Sequence, residues 1–283
     1  MDISDFNITI VGLGLIGGSF AMALKELNPK NLWAIDIDKD VLVVAEKMNI
    51  IDKGYINPEI PLRDSDIVIL AIYPQKTINF VENNMKLFKI GAVITDTAGI
   101  KSNLLSKIIP ILREDLDFIG GHPMAGKEES GLKAATVDMF KHANYILTPT
   151  EGNKEKNINL IEGLARDMGC KRVVYLTPKE HDDIIAYTSQ LPHIIAVSLI
   201  DCNSSIMEVS KFVGEGFKDT TRVATINEEL WPELLLYNKE NIINKIEDFE
   251  NNIKEIKNAI INGDEVFLKK RFQSATNKRK ELG

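Results

Sequence analysis

A chain of 283 residues is long for one domain, and 44% hydrophobic with 27% charged residues supplies the material for a sizeable core. Lys plus Arg number 34 against 41 Asp plus Glu, a formal charge of −7, which argues against nucleic acid or an anionic membrane as partner. An anionic substrate would need a local cationic clamp. Cys170 and Cys202 are too few for a disulfide framework and have no metal-ligand spacing, so they read as reduced thiols and no metal site is expected.

The N-terminus, MDISDFNITIVGLG, is acidic and enters a strand at once, unlike a signal peptide. No apolar stretch approaches the roughly 20 residues needed to span a bilayer, and the expected location is cytoplasmic. In chain order, strands are expected at Ile8–Val11, Asn31–Asp36, Asp66–Tyr73, Ala92–Thr95 and Phe118–Ile119, then at Tyr145–Leu147 and Arg172–Leu176. Helices are expected at Gly17–Leu27 and Glu155–Met168. The run DIVILAIY, closed by Pro74, is nearly continuous in apolar residues, as in a strand buried on both faces. Strands alternating with helices predict an α/β fold with a doubly wound, mostly parallel Rossmann-type sheet.

Strand signal ends near Thr177-Pro178. Long helices are expected at Glu180–Cys202, Asn227–Ile261 and Val266–Lys280, so the chain divides into a dinucleotide-binding domain, 1–177, and an all-α substrate and dimerisation domain, 178–283. Ile242, Ile243, Ile246, Phe249, Ile253, Ile256, Ala259 and Ile260 recur at helical spacing. Such a stripe serves either an intrachain core or a second subunit; the second is the preferred reading and predicts a homodimer through the C-terminal helices.

Gly12-Leu13-Gly14-Leu15-Ile16-Gly17 is a GxGxxG motif that follows a strand, opens a helix and is followed by Asp36 at the end of the second strand. That context is what a dinucleotide site requires. Gly12 makes the turn, Gly14 admits the pyrophosphate to the backbone, and Gly17 lets helix and strand pack closely. The helix N-terminus offers N–H groups and partial positive charge to the phosphates. Asp36 would bind the adenosine ribose and repel a 2′-phosphate, with Asp38 and Asp40 adding to the repulsion, so the expected cofactor is NAD.

The run GGHPMAGKEESG, Gly120 to Gly131, follows an apolar strand and holds His122 where a ligand could reach it. Two more segments stand out: Glu180-His181-Asp182 through Ser189-Gln190-Leu191-Pro192-His193, and Gly216-Phe217-Lys218-Asp219-Thr220-Thr221-Arg222. With GLGLIGGS, the DTAGIKS segment at Asp96 to Ser102, Trp231 and Asn238, these motifs cover nearly the whole chain in order. In them the chain resembles the prephenate/arogenate dehydrogenase family of tyrosine biosynthesis.

The resemblance implies NAD-dependent oxidative decarboxylation of prephenate to 4-hydroxyphenylpyruvate, or of arogenate to tyrosine, by a homodimer acting on a small-molecule substrate. His122 matches the family's catalytic histidine, and a neutral imidazole is a suitable acceptor for the ring hydroxyl proton. Arg222 matches the arginine that grips a substrate carboxylate, and its planar fork suits that partner. Asp219, three residues earlier, would orient it. His193 matches a second histidine facing the substrate side chain. His181 reads as a cap or interdomain contact, and His142 as a surface residue. Members commonly carry Gly-Ser where this chain has Ala98-Gly99, and many have His where Gln190 stands; water, Thr97 or Ser102 would have to replace the serine. The resemblance ends with the helical domain, without the regulatory domain of some relatives. A dinucleotide-binding sensor without turnover is the alternative of a different class.

Overall fold

Short β-branched runs, the central ones too apolar to face water on either side, assemble into one sheet with helices on both faces. The computed structural model describes residues 3–202 and 210–281. Among these, eight strands lie in the order β3-β2-β1-β4-β5-β6-β7-β8. They are β1 Asn7–Val11, β2 Asn31–Ile35, β3 Lys53–Tyr55, β4 Ile67–Leu70, β5 Val93–Asp96, β6 Asp117–Pro123, β7 Asn144–Thr148 and β8 Arg172–Tyr175. All adjacent pairs are parallel except β6 with β7, which run antiparallel with His122 opposite Ile146. Helices α1 Leu15–Glu26, α2 Lys39–Lys47, α3 Glu59–Asp64, α4 Pro74–Asn84, α5 Ser102–Ile108 and α6 Glu155–Asp167 connect them. The helices cover two apolar layers. One is built on Ile8, Ile10, Phe20, Leu24 and Phe140; the other on Val68, Leu70, Ile94, Leu104 and Phe118.

Three expected elements are corrected. The fourth strand stops at Leu70 rather than Tyr73: Ala71 N–H still donates to the Val11 carbonyl at 2.8 Å, but the Ala71 carbonyl and Ile72 lie against the Gly12 turn. The sixth strand runs on through Gly120-Gly121-His122-Pro123, so His122 sits in a ladder and not in a loop beyond it. The glycine pair allows this because its missing side chains make room for neighbours. A Cβ on Gly120 would stand 3.1 Å from the Lys101 stem, and one on Gly121 would stand 2.6 Å from Tyr145 Oη. Third, the expected helix Asn227–Ile261 is two helices, α10 Leu230–Tyr237 and α11 Lys239–Asn262, broken at Asn238.

The helical segment opens with α7 Pro178–Ile185, capped by the Thr177/Glu180 box, and continues through a π turn, Ala186–Gln190, into α8 Leu191–Asp201. At 24 residues and mean hydropathy 1.2 this continuous rod passes a bilayer-crossing test of length and composition, contrary to the expectation that no segment would. Its buried polar groups His181, Asp182 and Gln190 are bonded within the protein, which is the mark of a packed helix. After α9 Glu215–Thr221 and α10 the first compact unit ends, at Asn238. The second unit, residues 239–283, is a hairpin of α11 and α12 Glu265–Glu281, turned at Gly263 with φ +64°. Arg271 of α12 reaches Asn252 and Glu255 of α11. On α11, Ile243, Ile253 and Ile260 stay exposed.

Candidate active site

The glycine turn leaves β1 at the carboxyl edge of the sheet, where α/β folds hold ligands. Gly12 has φ +89°, and a Cβ there would lie 2.7 Å from the Ala71 carbonyl oxygen. A Cβ on Gly17 would overlap the Gly12 carbonyl oxygen at 1.9 Å, so α1 rests on the turn with no room for a side chain. Gly14 differs: a Cβ there would meet nothing within 4 Å, and no side chain caps α1. An open backbone face at an uncapped helix N-terminus fits a dinucleotide pyrophosphate. Leu13, Leu15 and Ile16 complete the turn, Leu13 being buried. Asp36 accepts Leu13 N–H at 2.7 Å on one oxygen and Asp38 N–H at 2.9 Å on the other. Its carboxylate thereby ties the glycine turn to the end of β2, with lone pairs left for a ribose diol. Asp38 caps α2 through Asp40 N–H and Val41 N–H.

The second centre is built around His122, whose partly buried imidazole stands at the end of β6. Its Nδ1 lies 2.8 Å from Nε2 of His181, and His181 Nδ1 lies 2.8 Å from Asp182 Oδ1. Asp182 also accepts Lys101 N–H and Ser102 N–H, each at 2.8 Å. The Lys101 ammonium is fully buried, 2.5 Å from Asp96 Oδ2 and 2.8 Å from the Ala98 carbonyl. Asp96 further accepts Ala98 N–H and, on its other oxygen, Gly121 N–H. One buried carboxylate thus joins the loop after β5 to the strand that carries His122.

Charge and burial set the protonation here. Burial, then the neighbouring His181 and Lys101 charges, hold the His122 imidazole well below its ordinary value. Burial lowers His181 as well, opposed by its hydrogen bond to Asp182. Burial would raise the Asp182 carboxyl, but bonds from His181 and Ser102 outweigh it and hold the group below the usual range. Burial also lowers the Lys101 ammonium, with Asp96 opposing. His122 is therefore a neutral base at neutral pH.

Gly99 lies against this imidazole: a Cβ there would be 3.7 Å from His122 Nε2 and 3.8 Å from Leu234 Cδ2. Two of the replacements considered for a serine at 99, Thr97 and Ser102, are engaged elsewhere. The Thr97 hydroxyl donates to the Leu70 carbonyl, and the backbone N–H of Ser102 is taken by Asp182. His181, expected to be a cap or interdomain contact, is the group that holds His122 instead. His142 is exposed, as expected.

A third group stands nearby. His193 Nδ1 donates to the Ser189 carbonyl at 2.8 Å, and its ring lies 4.0 Å from that of Trp231. Gln190 donates to the Leu234 carbonyl and accepts from Asn238, which also donates to the Asp182 carbonyl. Helix α10 and the segment before it are tied to the start of α4 by Tyr73 with Asn227, by Gln75 N–H with Glu233, and by Tyr237 with Gln75. Arg222 is paired with Glu128 of the Gly120–Gly131 run, its side chain 65% exposed. Asp219 is exposed and makes no bond to Arg222 among the described residues, so the expectation that it orients the guanidinium is corrected: Glu128 does so. A residue three positions away on a short helix lost to one brought in by a loop.

The family model for the nucleotide-binding domain of prephenate dehydrogenase matches residues 20–175, and that for the dimerization domain matches residues 177–274. The chain belongs to the prephenate dehydrogenase family. It is 31% identical over 285 residues to the prephenate dehydrogenase of Bacillus subtilis, covering 98% of this chain and 76% of that enzyme. Among solved structures, the prephenate dehydrogenase of Aquifex aeolicus in complex with hydroxyphenyl propionate and NAD+ superposes with TM-score 0.91 at 30% identity, covering both chains fully. A Synechocystis arogenate dehydrogenase superposes with TM-score 0.83 at 26% identity, over 98% of this chain and 99% of that one.

Proposed function

We propose that the chain catalyses the NAD-dependent oxidative decarboxylation of prephenate to 4-hydroxyphenylpyruvate. The observation that carries this reading is the His122 centre: a neutral imidazole whose one nitrogen is engaged by His181 and whose other, Nε2, faces the Gly99 backbone. Family membership adds the substrate class. NAD would be held by Gly12, Leu13, Gly14, Leu15, Ile16 and Gly17 at the pyrophosphate and by Asp36 at the adenosine ribose. When bound it supplies the acceptor for the hydride that leaves ring C4.

His122 Nε2 accepts the C4 hydroxyl proton, so that oxygen can become a carbonyl as the C–H pair departs. The bond to the ring carboxylate then breaks, CO2 leaves, and its electron pair makes the ring aromatic. The carbonyl oxygen returns to a hydroxyl. Arg222 anchors a substrate carboxylate, an interaction that an enzyme of charge −7 needs for a dianion. His193, stacked by Trp231, faces the substrate side chain. In this reading the functional division falls at 177/178, the helical part is the dimerisation region of a homodimer, and the enzyme works in the cytoplasm.

The test is to follow NADH absorbance with purified protein, given prephenate or arogenate, each with NAD+ or NADP+. NADH formation with CO2 release from prephenate is the expected outcome. Turnover of arogenate alone would reassign the substrate, and silence with both despite NAD binding would replace catalysis by sensing. His122→Asn should lower kcat by about 10²–10⁴-fold with little change in KM. Arg222→Gln should raise KM about 10–100-fold, the loss of one charged hydrogen-bonded contact. Small and equal effects of the two would overturn the assigned roles.

A further inference from the structure

The hydrogen bonds around His122 fix its tautomer as well as its place. Asp182 accepts two backbone N–H groups at 2.8 Å, one on each oxygen, as an ionised carboxylate does. His181 must then present Nδ1–H to it, which leaves a lone pair on His181 Nε2. That lone pair can meet His122 Nδ1 at 2.8 Å only if His122 carries its own proton there. The bare nitrogen of His122 is therefore Nε2, the one that faces Gly99. With His181 neutral, as its burial favours, each step follows from which atoms can donate and which can only accept.

We infer that the proton His122 takes from the substrate hydroxyl comes to rest on His181, held by Asp182 in the tautomer that receives it. The inference rests on His122 being the base. As the hydroxyl proton joins His122 Nε2, the Nδ1 proton passes to His181 Nε2, and the hydride pair leaves for bound NAD+. When the carboxylate bond breaks and the ring becomes aromatic, the ring oxygen regains a proton by the reverse shift. No proton is consumed overall, so the pair stores one charge only during turnover.

The surroundings say where that charge belongs. His122 faces His181 from the helix and the Lys101 ammonium from the loop after β5, both unfavourable to a cation. His181 faces the same Lys101 and His122, but also Asp182 on its own helix and Asp96 across the loop. Lys101 is itself paired with Asp96 at 2.5 Å. A cation on His181 meets a carboxylate at hydrogen-bond distance, whereas a cation on His122 meets none. The deeper lowering of His122 agrees with this order. His181 and Asp182 are thus positioning residues that act on the reaction through His122.

The whole enzyme has four histidines, which makes imidazole 15N NMR practicable. At neutral pH His122 and His181 should both appear as neutral Nδ1–H tautomers; an Nε2–H tautomer at His122 would overturn the inference without any variant. His181→Gln keeps an oxygen for the His122 Nδ1–H yet cannot hold a proton. It should lower kcat about a hundredfold with KM within about twofold. The acid limb of kcat, which reports the coupled pair, should move to lower pH because the remaining imidazole is the less basic one. Asp182→Asn should move the limb in the same direction. A kcat within about threefold of wild type and an unmoved limb for His181→Gln, with His122→Asn inactive, would sink the relay and leave the base. Full kcat in His122→Asn would instead sink the reading of His122 on which the relay stands.

Discussion

Asp36 does two jobs with one carboxylate: it anchors the glycine turn through Leu13 N–H and turns toward the place of a ribose diol. Asp36→Ser should therefore raise KM for NAD+ about 10–100-fold and improve the relative use of NADP+, measured as the ratio of kcat/KM values. An unchanged ratio would refute its role as the discriminating residue. Asp36, the glycines and His122 were legible in the sequence because each lies in a local pattern whose chemistry the neighbours define. His181, Asp182 and Lys101 were not. His122 meets His181 across 59 positions and Lys101 meets Asp182 across 81, and no local spacing encodes such approaches. The one available signal was the adjacent pair His181-Asp182 beside a lysine in the DTAGIKS segment. Asp219 failed for the converse reason. Sequence proximity to Arg222 suggested a partner, and the fold supplied Glu128 in its place.

At the scale of elements, β6 is the part that matters most, because it delivers the base. A strand can run through Gly120-Gly121-His122-Pro123 only where its neighbours fill the space of the absent side chains. Gly121→Ala would place a Cβ 2.6 Å from Tyr145 Oη and 2.8 Å from the Asp96 carbonyl oxygen, so β6 must shift. The expected result is a loss of about 1–3 kcal/mol in unfolding free energy, read from denaturant curves. A fall in kcat of about a hundredfold should accompany it, because a displacement of about 1 Å at a reacting group has that effect. Stability lost with kcat intact would mean that β6 moves without carrying His122. The apolar runs identified most strands, yet the ends were misplaced wherever the deciding contact was tertiary. Ile72 packs on the glycine turn instead of extending its strand, and Asn238 broke a helix by bonding to Asp182 and Gln190.

For the whole molecule, the sequence located a change of element type at Thr177, and the family models divide between residues 175 and 177. Packing divides elsewhere: α7 to α10 belong to the same compact unit as the sheet, and only residues 239–283 stand as a second unit. A periodic stripe reports that a helix face is apolar, not what covers it. Exposed Ile243, Ile253 and Ile260 on α11 are the surface that a homodimer would cover. Light scattering should give the mass of two chains, and Ile253→Glu should shift it toward one chain with the near-native far-UV spectrum kept. A monomeric wild type would remove the dimer from the proposal.

The π turn at Ala186–Gln190 bears on how two histidines come to serve one cleft. In an unbroken α-helix, positions twelve apart such as 181 and 193 point about 120° away from each other. One residue absorbed in a wide turn reduces that divergence to about 20°. Winding all these residues into a regular α-helix would turn His193 away from the bearing of His181, whereas deleting a single residue between 186 and 190 would regularise the helix and keep the two on nearly one bearing. Here the irregular turn is the alignment device, and a smoother rod of the same residues would aim its two imidazoles at different places.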